Sequence, residues 1–158
     1  MNILDFTNQF AEHPKFKTLV QNLVSDNQHK ALLQGLSGSE PWIFTHHIFK
    51  KVKSHILLIL PDSDEASYVH SDLASIVGTK KLIFFPSSHK RSIQYNQPDR
   101  TNMLLRTEAL EKLSNEKDNY IIITYPEAII EQVISSAAFQ EKIHFLHVGE
   151  QVDSHFIN

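Results

Sequence analysis

Three short, mainly apolar runs that each end at a proline constrain the fold of this chain more than any other feature. The runs are HILLILP at 55–61, KLIFFP at 81–86 and NYIIITYP at 119–126. They do not alternate apolar with polar residues, and this pattern is typical of strands buried on both faces of a parallel sheet. The intervening stretches predict helices, so we expect an α/β fold whose parallel sheet is covered by helices on both faces.

Apolar spacing, capping residues and proline positions predict the remaining elements. Asp62 and Ser63 can cap the helix that follows the first run, and a long polar loop is expected over 87–100. We expect one domain over 1–135, with its core at 31–135, and the start of a truncated second subdomain over 136–158. The predicted helices cover 13–25, 41–52, 64–77, 102–113 and 127–134, and two further strands are predicted at 31–34 and 142–148.

Composition excludes several classes of function. The net charge of -3 argues against a protein with a basic surface for nucleic acid. The absence of cysteine excludes disulfides, thiolate catalysis and zinc–thiolate sites. The sequence contains no apolar run long enough for a signal peptide or a membrane span, so we expect a cytoplasmic protein with no membrane partner.

A turn rich in glycine and serine, GLSGS at 35–39, lies between a predicted strand and a predicted helix, which is the layout of a P-loop. In the pattern G-x-x-x-x-G-K-[ST], backbone N–H groups and the lysine hold phosphates, and the hydroxyl holds magnesium. Aligned from Gly35, the last three positions are Glu40, Pro41 and Trp42. Glu40 brings negative charge toward a phosphate, and Pro41 removes a cation and a backbone donor.

We therefore expect a degenerate phosphate loop that binds no ATP productively, although an ordinary strand-to-helix turn is an open alternative. Its residues are Gly35, Ser37, Gly38, Ser39, Glu40 and Pro41.

A longer succession of motifs carries a family resemblance. ALLQGLSGS, ILLILPDSDEASYVHSDL, LIFFPSS, QYNQPDRTNMLLRTEALEKL and YIIITYPEAIIEQV follow in this order within about residues 25–158. Together with a PD-x-x-x-A element and an R-x-x-x-L-x-x-L helix, they resemble the N-terminus of bacterial transcription-repair coupling factor. The resemblance implies a three-layer, P-loop NTPase-like α/β fold, similar to the first domain of excinuclease component B, with a degenerate nucleotide site.

The resemblance also implies a function in DNA repair. The family's N-terminal module is non-catalytic, recruits nucleotide excision repair to stalled RNA polymerase through excinuclease component A, and packs against other domains of the parent to hold its motor inactive. The contacts with excinuclease component A lie in the second subdomain, so most of that interface is expected beyond these 158 residues. RNA polymerase and DNA are expected to be contacted only through the parent, which resembles an ATP-dependent DNA translocase.

Two alternatives stay open. One is a functional ATP-binding half-domain of a helicase-type motor. The missing lysine and hydroxyl, and the lack of a DExx-like run after YIIITYP, argue against it. The other is a weak anion or small-ligand binder that uses the backbone amides of the loop at 35–39.

The other candidate residues give weaker signals. A basic cluster in the long loop is a possible contact with DNA or another domain, with a solvated loop as the alternative. His46 and His47 are adjacent on a helix, so they point in different directions and we expect half-exposed residues rather than a metal site. Arg106 is expected to pair with a carboxylate, and we expect no cofactor, metal or catalytic residue. The possible contact loop comprises His89, Lys90, Arg91, Tyr95 and Arg100.

Overall fold

The computed structural model describes residues 3–25, 30–89, 99–114, 118–142 and 148–149. Within these ranges the chain is a mixed α/β structure with a small parallel sheet, which confirms the predicted fold class at this level. A short 3-10 helix at Thr79–Lys81 precedes the second strand. The remaining elements are α1 (Ile3–Ala11), α2 (Pro14–Val24), α3 (Glu40–Lys51), β1 (Ile56–Ile59), α4 (Ser63–Val77), β2 (Leu82–Phe84), α5 (Arg100–Ser114), β3 (Ile121–Thr124), α6 (Pro126–Ile130) and α7 (Ser136–Lys142).

The three strands are parallel and lie in the order β1-β3-β2. Ile121 of β3 is paired with Ile56 of β1 and with Leu82 of β2, so the three strands begin at the same level. Parallel strands need long crossover connections, and here α4 joins β1 to β2 and α5 joins β2 to β3. The three apolar runs that end in proline are therefore the three strands of the described sheet.

The main core lies between one face of the sheet and α4. Leu73 of α4 is fully buried against this face, together with Ile121 and Ile123 of β3. The helix begins where the sequence predicts, because the Asp62 carboxylate accepts hydrogen bonds from the backbone N–H groups of Asp64 (3.0 Å) and Glu65 (2.9 Å). Side chains of α3 pack against the edge of the same core.

The opposite face is only partly covered, which corrects the prediction of strands buried on both sides. Helix α5 packs against β2, where Ala109 and Ile83 form a second small core. Leu57 and Ile59 of β1 are 54% and 57% exposed, because no described element lies over them. Continuous apolar sequence shows that a strand can be buried on two faces, but it does not show that a covering element is present.

The predicted strand at 31–34 is also wrong. No strand forms there, and Leu32 and Leu33 are 81% and 50% exposed. The segment makes no ladder with any described strand, so its apolar residues have no sheet to join. Of the predicted strand at 142–148, Lys142 ends α7, residue 148 lies in a turn, and 143–147 lie outside the described residues.

The helix predicted over 127–134 is shorter than expected, and one helix was missed. Helix α6 ends at Ile130, and Glu131 has extended backbone angles. Helix α1 packs on α3 and precedes the first predicted helix. In the described part of the chain, no helix has both the length and the apolar character needed to cross a bilayer.

The uneven covering of the sheet has a measurable consequence. We expect Ile123→Ala, at a fully buried position, to lower the free energy of unfolding by about 2–5 kcal/mol. The same truncation at the exposed Ile59 should cost less than about 1 kcal/mol, because little apolar area leaves the protein interior there. Urea denaturation of both variants provides the measurement, and equal losses would show that the exposed face of β1 is covered after all.

Candidate functional site

Ligands of parallel α/β sheets bind beyond the carboxyl ends of the strands, so this edge is the first place to look for a site. In this chain the residues after β1 include Asp62, and those after β2 include Ser87 and Ser88. Glu131 follows β3 and α6. The loop at 35–41, predicted to be a degenerate phosphate loop, leads into α3, which packs on α4.

The loop at 35–41 keeps the backbone shape of a turn that precedes a helix. Gly35 and Gly38 have positive φ angles of 82° and 56°, which side-chain-bearing residues rarely adopt. A Cβ added at either glycine would meet no atom within 4 Å, so backbone conformation rather than close packing favours glycine. Glu40 and Pro41 then form the first turn of α3.

The carboxylate of Glu40 folds back into this loop. Its Oε2 accepts a hydrogen bond from the backbone N–H of Ser37 at 2.9 Å, and the N–H of Glu40 donates to the carbonyl of Ser37 at 3.2 Å. A helix N-terminus with free N–H groups would favour an external anion. Here the protein's own carboxylate occupies the backbone N–H of Ser37, two residues before the N-cap, and places a negative charge at the start of α3.

The side chain of Ser39 is also bound by another part of the protein. It is the N-cap residue of α3, but its side chain does not cap the helix. Its hydroxyl instead donates to the Asp72 carboxylate of α4 at 3.0 Å. The loop is therefore tied to α4, and a second carboxylate lies next to it.

A buried polar network lies at the carboxyl ends of β2 and β3. The guanidinium of Arg106, which is 7% exposed, lies 3.0 Å from Glu131 Oε2. It also donates to the carbonyl oxygens of Pro86 (2.8 Å) and Ala128 (3.2 Å) and lies 4.2 Å from the centre of the Phe85 ring. The prediction that Arg106 pairs with a carboxylate is confirmed, and the pair joins α5 to the ends of β2 and α6.

Glu131 holds the residues that follow β2. It accepts hydrogen bonds from the Ser88 N–H at 2.9 Å and from the Ser88 hydroxyl at 2.5 Å. Burial would raise the pKa of Glu131, but the two bonds from Ser88, together with the charges of Arg106 and His89, outweigh it and lower that pKa. The carboxylate is thus fully used in holding the structure together.

Tyr125 completes the same network. Its hydroxyl oxygen accepts from the Ser87 N–H at 2.8 Å, and burial raises the pKa of this phenol despite that hydrogen bond. The sequence analysis missed Tyr125, Ser88 and Glu131 as members of a site. The one available signal was Arg106 itself, because an arginine on an apolar helix face needs an acidic partner when it is buried.

Two members of the possible contact loop are described, and they flank this network. His89 Nε2 lies 3.9 Å from Glu131 Oε1, with 55% of its side chain exposed, and Arg100 is exposed at the start of α5. Lys90, Arg91 and Tyr95 lie outside the described residues. A role for this loop in binding DNA or another domain therefore stays a prediction.

The histidine pair of α3 is buried, which corrects the expectation of half-exposed residues. His46 and His47 are 5% and 6% exposed, because α1 and α4 both pack against α3. His47 Nε2 lies 2.7 Å from the carbonyl of Thr7 in α1. Neither ring nitrogen of His46 has a hydrogen-bond partner among the described residues, and burial, with smaller effects from Lys50 and His47, lowers its pKa to about 4.

An apolar cavity of about 700 Å³ lies beside the degenerate phosphate loop. It is lined by residues of α1, α2, α3 and the exposed segment before the loop, including Phe10, Phe16, Leu36 and Phe44. Its size falls in the range of small-molecule sites. Elsewhere in the described ranges, no group of three or more histidine, aspartate or glutamate side chains is arranged to hold a metal ion.

Comparison with protein-family models, with curated proteins and with solved structures finds no match to this chain.

The buried ion pair predicts a strongly destabilised variant. Arg106→Met should lower the free energy of unfolding by about 3–5 kcal/mol, because it leaves the Glu131 carboxylate without its guanidinium partner. The double variant R106M/E131Q should recover part of the loss. Urea denaturation of the single and double variants measures the coupling between the two residues, and strictly additive losses would contradict it.

His46 predicts a pH-dependent stability. Its pKa is about 4 when folded, below the usual value of 6.5, so between these values the unfolded chain binds a proton that the folded chain does not. Stability should therefore fall as the pH drops through this window, by at most about 3 kcal/mol from this residue. Denaturation of wild type and His46→Leu at several pH values should show a shallower dependence in the variant.

The matched control is His13→Gln, at an exposed position. It should retain the wild-type dependence on pH. A His46→Leu profile parallel to that of the wild type would show that His46 is not the group responsible.

Proposed function

We propose that this chain is a non-catalytic module of a bacterial transcription-repair coupling factor, with a P-loop-like core whose nucleotide site is degenerate. The observation that carries the proposal is the hydrogen bond from the Ser37 N–H to the Glu40 carboxylate inside the loop. A carboxylate about 4 Å from a phosphate would repel it by about 4 kcal/mol at an effective dielectric constant near 20. A site that places its own anion in this position is poorly suited to ATP.

The carboxyl edge of the sheet supports a structural role. Arg106 and Glu131 are both paired with groups of the protein, and Asp62 caps α4. No arginine or lysine of the described loops forms a hydrogen bond or an ion pair with a residue of the loop at 35–39. A nucleotide enzyme would use such acidic and polar residues to hold magnesium or phosphate. Here they cap a helix and hold loops in place.

The uncovered face of β1 supports a module that works through protein contacts. Leu57 and Ile59 present apolar side chains to solvent on a strand that has no described partner on its outer side. The open edge of a sheet is normally protected by charged residues or proline, or is covered by another element. In the proposed function, other domains of the parent pack here, and the module restrains the downstream motor while excinuclease component A is recruited mainly through residues beyond 1–158.

A small-ligand function is the second candidate, and the apolar cavity beside the loop is the observation that favours it. Its lining is mainly apolar and includes one residue of each charge, Lys15 and Glu40, so it suits an uncharged, mainly apolar molecule. This candidate and the proposed module role lead to different results with nucleotides and with apolar ligands.

The test measures the chain's response to ATP and its effect on a motor. Millimolar ATP with magnesium should not raise the melting temperature beyond the effect of sulfate. A specific ligand at about 100 times its dissociation constant would raise the free energy of unfolding by about 2.7 kcal/mol. Added in trans to a coupling factor that lacks its N-terminal module, the chain should lower the ATPase rate of that motor. An unrelated protein at equal concentration serves as the control.

Each outcome has a distinct meaning. An ATP-specific rise in melting temperature would replace the proposal with a nucleotide-binding half-domain. An unchanged ATPase rate together with no physical association would overturn the role as a regulatory module. Stabilisation by apolar small molecules alone would favour the second candidate.

A further inference from the structure

The amino edge of the sheet, opposite the candidate site, is rich in lysine. The residues before β1 read KKVKSH at 50–55, and those before β2 read TKK at 79–81. Because the strands are parallel, both segments lie at the same edge of the sheet. We call this surface the lysine edge, and its members are Lys50, Lys51, Lys53, His55, Lys80 and Lys81.

Ring contacts show that the lysine edge is continuous across the sheet. His55 and Lys81 lie on either side of Tyr120, which precedes β3. The His55 and Tyr120 rings are stacked with their centroids 6.0 Å apart and their planes 9° apart, and Lys81 Nζ lies 5.7 Å from the centre of the Tyr120 ring. The two basic segments are therefore separated by about 10 Å, or two strand spacings.

Carboxylates offset only part of the charge of this edge. Asp118 forms an ion pair with Lys81 at 2.5 Å, and Glu12, whose main partner is Lys17, also interacts electrostatically with Lys51. Lys50, Lys53 and Lys80 are exposed and form no ion pair with a described carboxylate. These three lysines are therefore available to a partner.

Helix dipoles explain only part of the lysine edge. Lys50 and Lys51 lie in the last turn of α3, where cations offset the partial negative charge of the helix end. Lys53, Lys80 and Lys81 lie outside the α-helices. They precede the two outer strands of the sheet and create a positive surface that the stability of the helices does not require.

We propose that the lysine edge binds an acidic segment of a polypeptide. Lysine ammonium groups and a histidine N–H are suitable donors to carboxylates. The Nδ1 atom of His55 accepts the backbone N–H of Tyr120 at 3.2 Å, so the neutral ring carries its proton on Nε2, which can donate to the partner. This inference does not depend on the identity of the parent protein.

Three features favour a polypeptide over nucleic acid. The described lysine edge contains no arginine, the residue best suited to bidentate phosphate contacts. Tyr120, the aromatic residue at its centre, is buried and offers no face for stacking a base. The net charge of -3 also gives the chain as a whole an unfavourable field for a nucleic acid.

The experiment compares two double charge reversals that change the net charge equally. K53E/K80E alters the lysine edge, and K17E/K30E, at exposed residues that are not members of it, is the control. The probes are a fluorescein-labelled peptide of alternating glutamate and serine and a labelled DNA duplex of random sequence, followed by fluorescence anisotropy. Thermal unfolding checks that each variant is folded.

We expect wild type to bind the peptide more tightly than the duplex, with affinity falling between about 50 and 200 mM salt. K53E/K80E should lose about tenfold in peptide affinity, whereas K17E/K30E should stay within about twofold of wild type. Absence of peptide binding by the wild type, or equal losses in both variants, would overturn the proposal. Tighter binding to the duplex that is lost in K53E/K80E would replace it with a nucleic-acid surface.

Discussion

Burial of the central strand is the constraint on which the rest of the structure depends. β3 lies between β1 and β2, and its Ile121 and Ile123 are fully buried. A parallel strand in this position must be reached by crossover connections, so α4 and α5 are required by the topology as well as by their own sequences. The residues that precede and follow β3 are then brought to opposite edges of one small sheet.

These two edges have different chemistry because different residues flank the strands. At the carboxyl edge, carboxylates cap helices, as Asp62 does, or hold loops, as Glu131 does through Arg106 and Ser88. At the amino edge, lysines precede β1 and β2. A parallel α/β protein that binds a nucleotide concentrates positive groups and free N–H donors at the carboxyl edge. At the carboxyl edge of this chain the buried Arg106 is paired with Glu131, so its charge is not available to a phosphate.

The sequence predicted those parts of the fold that local patterns determine. Continuous apolar runs identified β1, β2 and β3, and the Asp62 cap identified the start of α4, because in each case the signal lies within a few neighbouring residues. The segment at 31–34 has an equally apolar sequence, yet it forms no strand, because strand formation needs a partner that the sequence does not specify. The burial of His46 was missed for a similar reason, since α1 was not predicted and packing on α3 is a tertiary effect.

In the candidate site, too, the local sequence predicts some features and tertiary contacts determine the others. Pro41 and Trp42 showed in the sequence that the loop lacks the lysine and the hydroxyl of the P-loop pattern. What the loop does instead depends on the side chain of Glu40, which could have pointed to solvent but returns to the Ser37 N–H. The reciprocal hydrogen bonds between these two residues hold the turn in its shape from within the chain. The Ser39 hydroxyl adds a contact to Asp72 of α4, so the position of this glycine-containing turn depends on tertiary contacts that the local sequence does not show.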